Sequence, residues 1–226
     1  MFDLNVPGQL IVIVGIDGAG KTTQVKELTS WLNSLDVPAC QLLNQTLLPV
    51  RQSLDAIARE DGFEDHLEML GPDVIRLISA CSKLATLATL RESAADPESV
   101  TLIDRYTYCQ YAAVRLQQAN NEDFLRRLNR VLPTPDLTVF LDVDPAGAQR
   151  RIEGRGIDRE SIDFLARYRR AYLSLPEFDS FVVVDGNGGR EAVQRALREV
   201  VARALDIRVP LSGLPGRGTR RVISGS

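Results

Sequence analysis

Short apolar runs punctuate this chain, and between them apolar residues recur every three or four positions. The runs cover residues 10–14, 100–103, 137–141 and 181–184, with 39–43 as a less apolar fifth. Largely apolar runs of this length, interrupted by Thr101 and Thr138, suit strands buried on both faces, as in a parallel sheet. The helical stretches lie between them. Val25, Leu28, Leu32 and Leu35 mark the first, which stops before Pro38. A second is expected over 50–60, closed by Asp61-Gly62. A long third runs over 72–90, with Pro72 in its first turn and an apolar face of Val74, Leu77, Ile78, Cys81, Leu84, Leu87 and Ala88. Further helices are expected over 107–119, 122–131, 145–152, 161–174 and 190–205. This alternation predicts an α/β fold, a five-stranded parallel sheet with helices on both faces. Residues 1–205 read as one domain. Residues 206–226 are rich in Pro, Gly and Ser, lack periodicity, and read as a flexible tail whose Arg217, Arg220 and Arg221 are solvated.

The first strand leads into the most informative stretch. Gly15 opens Gly-x-x-x-x-Gly-Lys-Thr, ending at Thr22, and the first helix follows at once. Strand, glycine-rich turn and helix are the setting this motif needs for nucleotide binding. Gly15, Asp17, Gly18, Ala19, Gly20, Lys21, Thr22 and Thr23 are therefore candidates for holding nucleotide. The turn's amide hydrogens gather around phosphate oxygens, and the helix N-terminus adds partial positive charge. Lys21 reaches the β and γ phosphates of ATP, and Thr22 offers its hydroxyl to Mg²⁺.

Ligands of open α/β sheets sit beyond the carboxyl ends of the strands. Asp17, Asp104, Arg105 and Asp142 all fall at or just past such ends. Asp104 suits a carboxylate that orients Mg²⁺, alongside a second role capping the next helix. Arg105 points to a phosphate. A basic cluster, Arg150, Arg151, Arg155 and Arg159, surrounds Gly154 and Gly156. An arginine on a glycine-hinged lid near 153–160 can supply charge to a transferred phosphoryl group. Arg150 and Arg151 sit where a helix C-terminus favours cations anyway, which leaves Arg155 and Arg159 as the catalytic candidates beside Lys21 and Arg105.

Composition narrows the class. The 226 residues suffice for a substantial core. A net charge of −3 gives no general attraction to nucleic acid or to membranes. Cys40, Cys81 and Cys109 are odd in number and far apart, so they read as small core residues rather than a disulfide framework or zinc site. With no leader and no membrane-spanning run, a cytoplasmic enzyme is expected. His66, the only histidine, lies in an acidic stretch and reads as a surface residue, so no histidine-based triad arises.

Taken in order, these motifs make the chain resemble the thymidylate kinases, of the P-loop nucleoside-monophosphate kinase group. The resemblance rests on Gly15 to Thr23, on Asp104-Arg105-Tyr106, on Pro135-Asp-Leu and the strand to Asp142, on Arg155 to Glu160 with Asp163-Phe164, and on Arg167 to Leu173. It implies a nucleotide substrate, with Asp17 at the acceptor sugar, Arg105 at the acceptor phosphate, a lid arginine at the transferred group, and a homodimer. The chain also departs from the family. The Arg-Glu-Pro-Gly segment after the second strand is replaced by Leu42 to Arg51, with Arg51 the nearest substitute. The family's base-stacking Phe and base-binding Arg correspond to Ile78 and Ser82, and Ala112-Ala113-Val114 replaces Ala-Tyr-Gln. Ile78 and Ala113 imply a roomier pocket for a larger or modified base. A kinase acting on a nucleoside or another small metabolite, and a non-catalytic nucleotide binder, remain the alternatives.

Overall fold

Five parallel strands form a single sheet in the order β2-β3-β1-β4-β5. They are β1 (Gln9–Val14), β2 (Ala39–Leu43), β3 (Val100–Asp104), β4 (Leu137–Asp142) and β5 (Val182–Asp185). The computed structural model describes residues 6–43, 48–154 and 160–207. Helices α1 (Lys21–Asn33), α2 (Leu48–Glu60), α3 (His66–Ala85), α4 (Leu87–Ser93), α5 (Thr107–Gln117), α6 (Glu122–Leu128), α7 (Pro145–Glu153), α8 (Ile162–Leu173) and α9 (Arg190–Ala204) cover the sheet.

Leu10 to Val14 are wholly buried, because β1 lies between β3 and β4. Ile13 pairs with Asp104 and Val139, so the chain after β1 emerges between the ends of its neighbours. This is the switch point at which open α/β sheets bind ligands. On the far side Phe140 packs against Tyr172 and Phe178 at centroid distances of 5.4 and 5.3 Å.

The third helical stretch differs most from its sequence pattern. Gly71 is non-helical (φ 75°, ψ 163°), and Pro72 starts a new run after it. Asp65 caps α3, accepting from the amides of Leu67 and Glu68 at 2.8 and 2.9 Å. The chain breaks again at Thr86 before α4. Part of the apolar face is turned outward: Val74 is 42% exposed, Leu77 37%, and Cys81 is exposed, whereas Leu84 and Leu87 pack against the core. Ile75, Arg76, Ser79, Ala80 and Lys83 are the buried face. The cysteines therefore divide, with only Cys109 in the core, Cys40 half-buried and Cys81 at the surface.

Candidate functional site

The loop from β1 to α1 is built on positive φ. Gly18 (φ 78°) packs so closely on the Ala148 carbonyl of α7 that a Cβ would overlap it. Gly20 (φ 91°) has open space where a Cβ would lie, so its conformation, not crowding, demands glycine there. An anion approaching the N-terminus of α1 would meet that open space. Lys21, the first residue of α1, is buried and donates from Nζ to the Ile16 carbonyl at 2.7 Å.

Thr22 donates its hydroxyl to Oδ2 of Asp104, joining α1 to the end of β3. The other oxygen, Oδ1, is buried and has no hydrogen-bond partner among the described residues. An orphaned carboxylate oxygen beside a P-loop hydroxyl fits a Mg²⁺ ion that takes its remaining ligands from phosphate and water. No cluster of three or more His, Cys, Asp or Glu suited to a metal occurs among the described residues. A phosphate-borne Mg²⁺ does not require one.

Arg105, next along the chain, adopts φ 66°, a left-handed conformation that non-glycine residues rarely take. Its amide donates to the Ile13 carbonyl at 3.1 Å, which fixes the turn. The guanidinium then meets Asp17 of the P-loop in an ion pair. Two residues 88 apart in sequence thus face each other across the cleft.

That cleft has a volume of about 840 Å³. Asp17, Arg105, Cys109, Gln110 and Ala113 form its floor, α3 supplies Ile75, Arg76, Ser79 and Lys83, and Glu160, Phe164 and Tyr168 close a third side. Gln110 is held by the Ser79 carbonyl at 2.9 Å and by Asn129 at 3.0 Å. Burial pulls the Lys83 pKa below its ordinary value, while Cys109 and Asp104 pull it back up.

Several expectations change here. Ile78 and Ser82 do not line the cleft; Ser79 and Lys83 do, one position further along. Its open space is therefore bounded by Ser79, Cys109 and Ala113 rather than by Ile78. His66 is no surface residue: it lines the cleft, and its Nδ1 lies 2.6 Å from Asp55, binding α3 to α2. Arg51, on α2, also lines it. Asp142 is not open to ligand. It holds Arg169 of α8 through two hydrogen bonds of 2.6 and 2.7 Å, a bidentate brace. Arg151 braces the β5–α9 loop, donating to the Gly186 carbonyl at 2.9 Å. Arg155 and Arg159 lie outside the described residues. Arg76 was not singled out in the sequence. The signal that would have found it is the set Ile75, Arg76, Ser79, Ala80 and Lys83, a second stripe at helical spacing.

Comparison with known proteins gives the same picture. The family model for thymidylate kinase matches residues 13–197. Curated relatives include a thymidylate kinase of Nostoc punctiforme, 30% identical, aligned over 92% of this chain and 99% of its own. A probable thymidylate kinase of Methanosarcina acetivorans is 31% identical over 88% and 96%. A thymidylate kinase of Pseudoalteromonas translucida is 28% identical over 85% and 95%. With its P-loop, its Thr22–Asp104 pair and its Arg105 cleft in the order that this match spans, the chain belongs to the thymidylate kinase family.

Proposed function

We propose that the protein transfers the γ-phosphoryl group of ATP to a nucleoside monophosphate, with dTMP the first acceptor to test. The observation that carries this is the orphaned Oδ1 of Asp104, paired through its other oxygen to Thr22 and adjoining a cleft that carries Arg105. The amides around Gly15, Gly18, Ala19 and Gly20, with Lys21 and Thr23, hold the ATP phosphates. Thr22 and Asp104 would hold Mg²⁺, which would supply charge neutralisation to the transferring phosphates. Arg105 holds the acceptor phosphate and Asp17 the sugar. Arg155 or Arg159 supplies charge to the group in flight. In the step itself, an acceptor phosphate oxygen bonds to the γ-phosphorus, the bond to the β–γ bridging oxygen breaks, and ADP leaves. The attacking oxygen is already ionised near neutral pH, so no general base is needed. This agrees with the sole histidine being engaged by Asp55.

The test is ADP release with Mg²⁺ across a panel of monophosphates and nucleosides. Turnover of dTMP or another monophosphate is expected. Turnover of nucleosides alone would overturn the acceptor assignment, and ATP binding without any turnover would overturn the kinase reading.

Two copies pair, in our reading, through the outward stripe Val74, Leu77 and Cys81, since a second copy would cover an apolar face that the monomer leaves open. Leu77→Glu should convert a dimer to a monomer by light scattering. A cytoplasmic setting accords with three free thiols. No described helix is long and apolar enough to cross a membrane.

A further inference from the structure

Arg76 is a charge in the cleft that the scheme above leaves idle. It lies on the inward face of α3 and is 7% exposed. It makes no hydrogen bond or ion pair with any described residue, and its Nε is fully buried without a partner. Burying a cation without a counter-charge is destabilising, so its retention calls for an anion supplied from elsewhere. Three carboxylates line the same cleft, Asp17, Asp65 and Glu160. Asp17 is paired with Arg105, and Asp65 caps α3. Glu160 bears on Arg105. The titratable neighbours of Arg76 are Tyr168, Arg51 and Cys109, none of them a carboxylate. Burial depresses its pKa, Tyr168 opposes that and the Arg51 charge adds to it. A guanidinium nevertheless stays charged.

Position gives Arg76 a task. Tyr168 and Cys109 bear on Arg105 as well. The two guanidinium groups therefore flank one part of the cavity, Arg76 from α3 and Arg105 from the turn after β3. Tyr168 lines the same cavity and acts on both charges, its hydroxyl donating to the Cys109 carbonyl at 3.3 Å. The segment after β2, where the related kinases carry a phosphate-binding arginine, has none before Arg51. A phosphate monoester carries close to two negative charges and accepts several hydrogen bonds, which matches two facing forks.

We propose that Arg76 is the second phosphate-binding arginine of the acceptor site, gripping the acceptor's phosphate dianion opposite Arg105. This rests on the phosphoryl-transfer reading above. It moves the missing contact from the loop after β2 to a helix that already lines the pocket.

The experiment compares dTMP, thymidine and ADP binding to the full chain and to Arg76→Gln and Arg76→Lys, by calorimetry, with steady-state turnover alongside. Arg76→Gln should weaken dTMP about 10- to 100-fold, the range for one hydrogen-bonded charge. Thymidine and ADP affinity should stay unchanged, KM for dTMP should rise more than kcat falls, and Arg76→Lys should recover part of the loss. The ligand-free Arg76→Gln protein should melt no lower than wild type, because an uncompensated charge has been removed. Equal weakening of dTMP and thymidine would make Arg76 a base contact and overturn the proposal. Unchanged dTMP binding, or a lower melting temperature, would overturn it too. Wild-type protein inert toward every monophosphate would sink the kinase reading and this proposal together, whereas wild-type turnover with an indifferent Arg76→Gln would sink only the proposal.

Discussion

Replacing Arg105 by glycine and by alanine separates what its side chain does from what its backbone costs. Both variants lose the ion pair to Asp17, whose side chains are 26% and 25% exposed, so that loss is about 1 kcal/mol or less after screening. They differ in the backbone. At φ 66° an alanine Cβ is crowded and glycine is not, a difference of about 1 kcal/mol in favour of glycine. The usual ranking, in which glycine destabilises relative to alanine, should therefore invert at this position. With a urea m-value of about 2–3 kcal/mol/M for a domain of this size, the two midpoints should lie about 0.4 M apart. Trp31 is the only tryptophan and is 8% exposed, so its fluorescence is a clean probe of unfolding. Both variants should also lose about 10²- to 10³-fold in kcat/KM, as expected when a preorganised charge is removed. An alanine variant as stable as the glycine variant would refute the backbone argument. Full activity in either would refute the role assigned to the guanidinium.

Asp104→Asn should leave the fold intact, since the amide can still accept from Thr22, but weaken Mg²⁺-dependent ATP turnover at least 10-fold; raising Mg²⁺ should restore part of it, and an unchanged Mg²⁺ requirement would contradict the metal seat. Burial pushes the Glu122 carboxyl up, but hydrogen bonds from Arg115 and Arg126 outweigh it and hold the group below its ordinary 4.5. The native state then binds fewer protons than the unfolded chain, so this stabilisation is complete above pH about 4.5 and is lost as pH falls through the lowered value. Glu122→Gln should flatten that acid limb in urea titrations across pH 3–6. Phe140→Ala, at a wholly buried position packed against Tyr172 and Phe178, should cost about 3–5 kcal/mol in the same assay.

The P-loop was legible because strand, motif and helix are contiguous, and every cue lies between Leu10 and Leu35. Asp104 was legible for the same reason, as the residue that ends an apolar run. The face of α3 was not. Periodicity identifies a helix and its apolar stripe, and it implies burial only if apolar residues are the ones buried. Here Arg76, Ser79 and Lys83 turn toward a cleft, while Val74 and Leu77 turn to solvent. Pattern alone cannot separate a core face from an outer apolar face when the other side lines a polar pocket. The one-residue offset at Ile78 and Ser82 has the same origin. Asp142 was placed correctly at a strand end, but its partner Arg169 lies 27 residues on, a distance no local pattern spans.

The sheet order has a consequence for how the molecule is made. β1 precedes both of its neighbours in the chain and is wholly apolar from Leu10 to Val14, yet neither neighbour is close in sequence: Gln9 pairs with Val100, and Val14 with Phe140. At about 5–20 residues per second, β1 waits several seconds before β3 exists and longer before β4 does. During that interval a run of five aliphatic residues has no edge to pair with, a condition that invites self-association. The phosphate site and the strand most in need of shelter on the ribosome are consecutive stretches of one segment, so yield in the cell should depend on chaperone cover of β1 until β3 and β4 emerge.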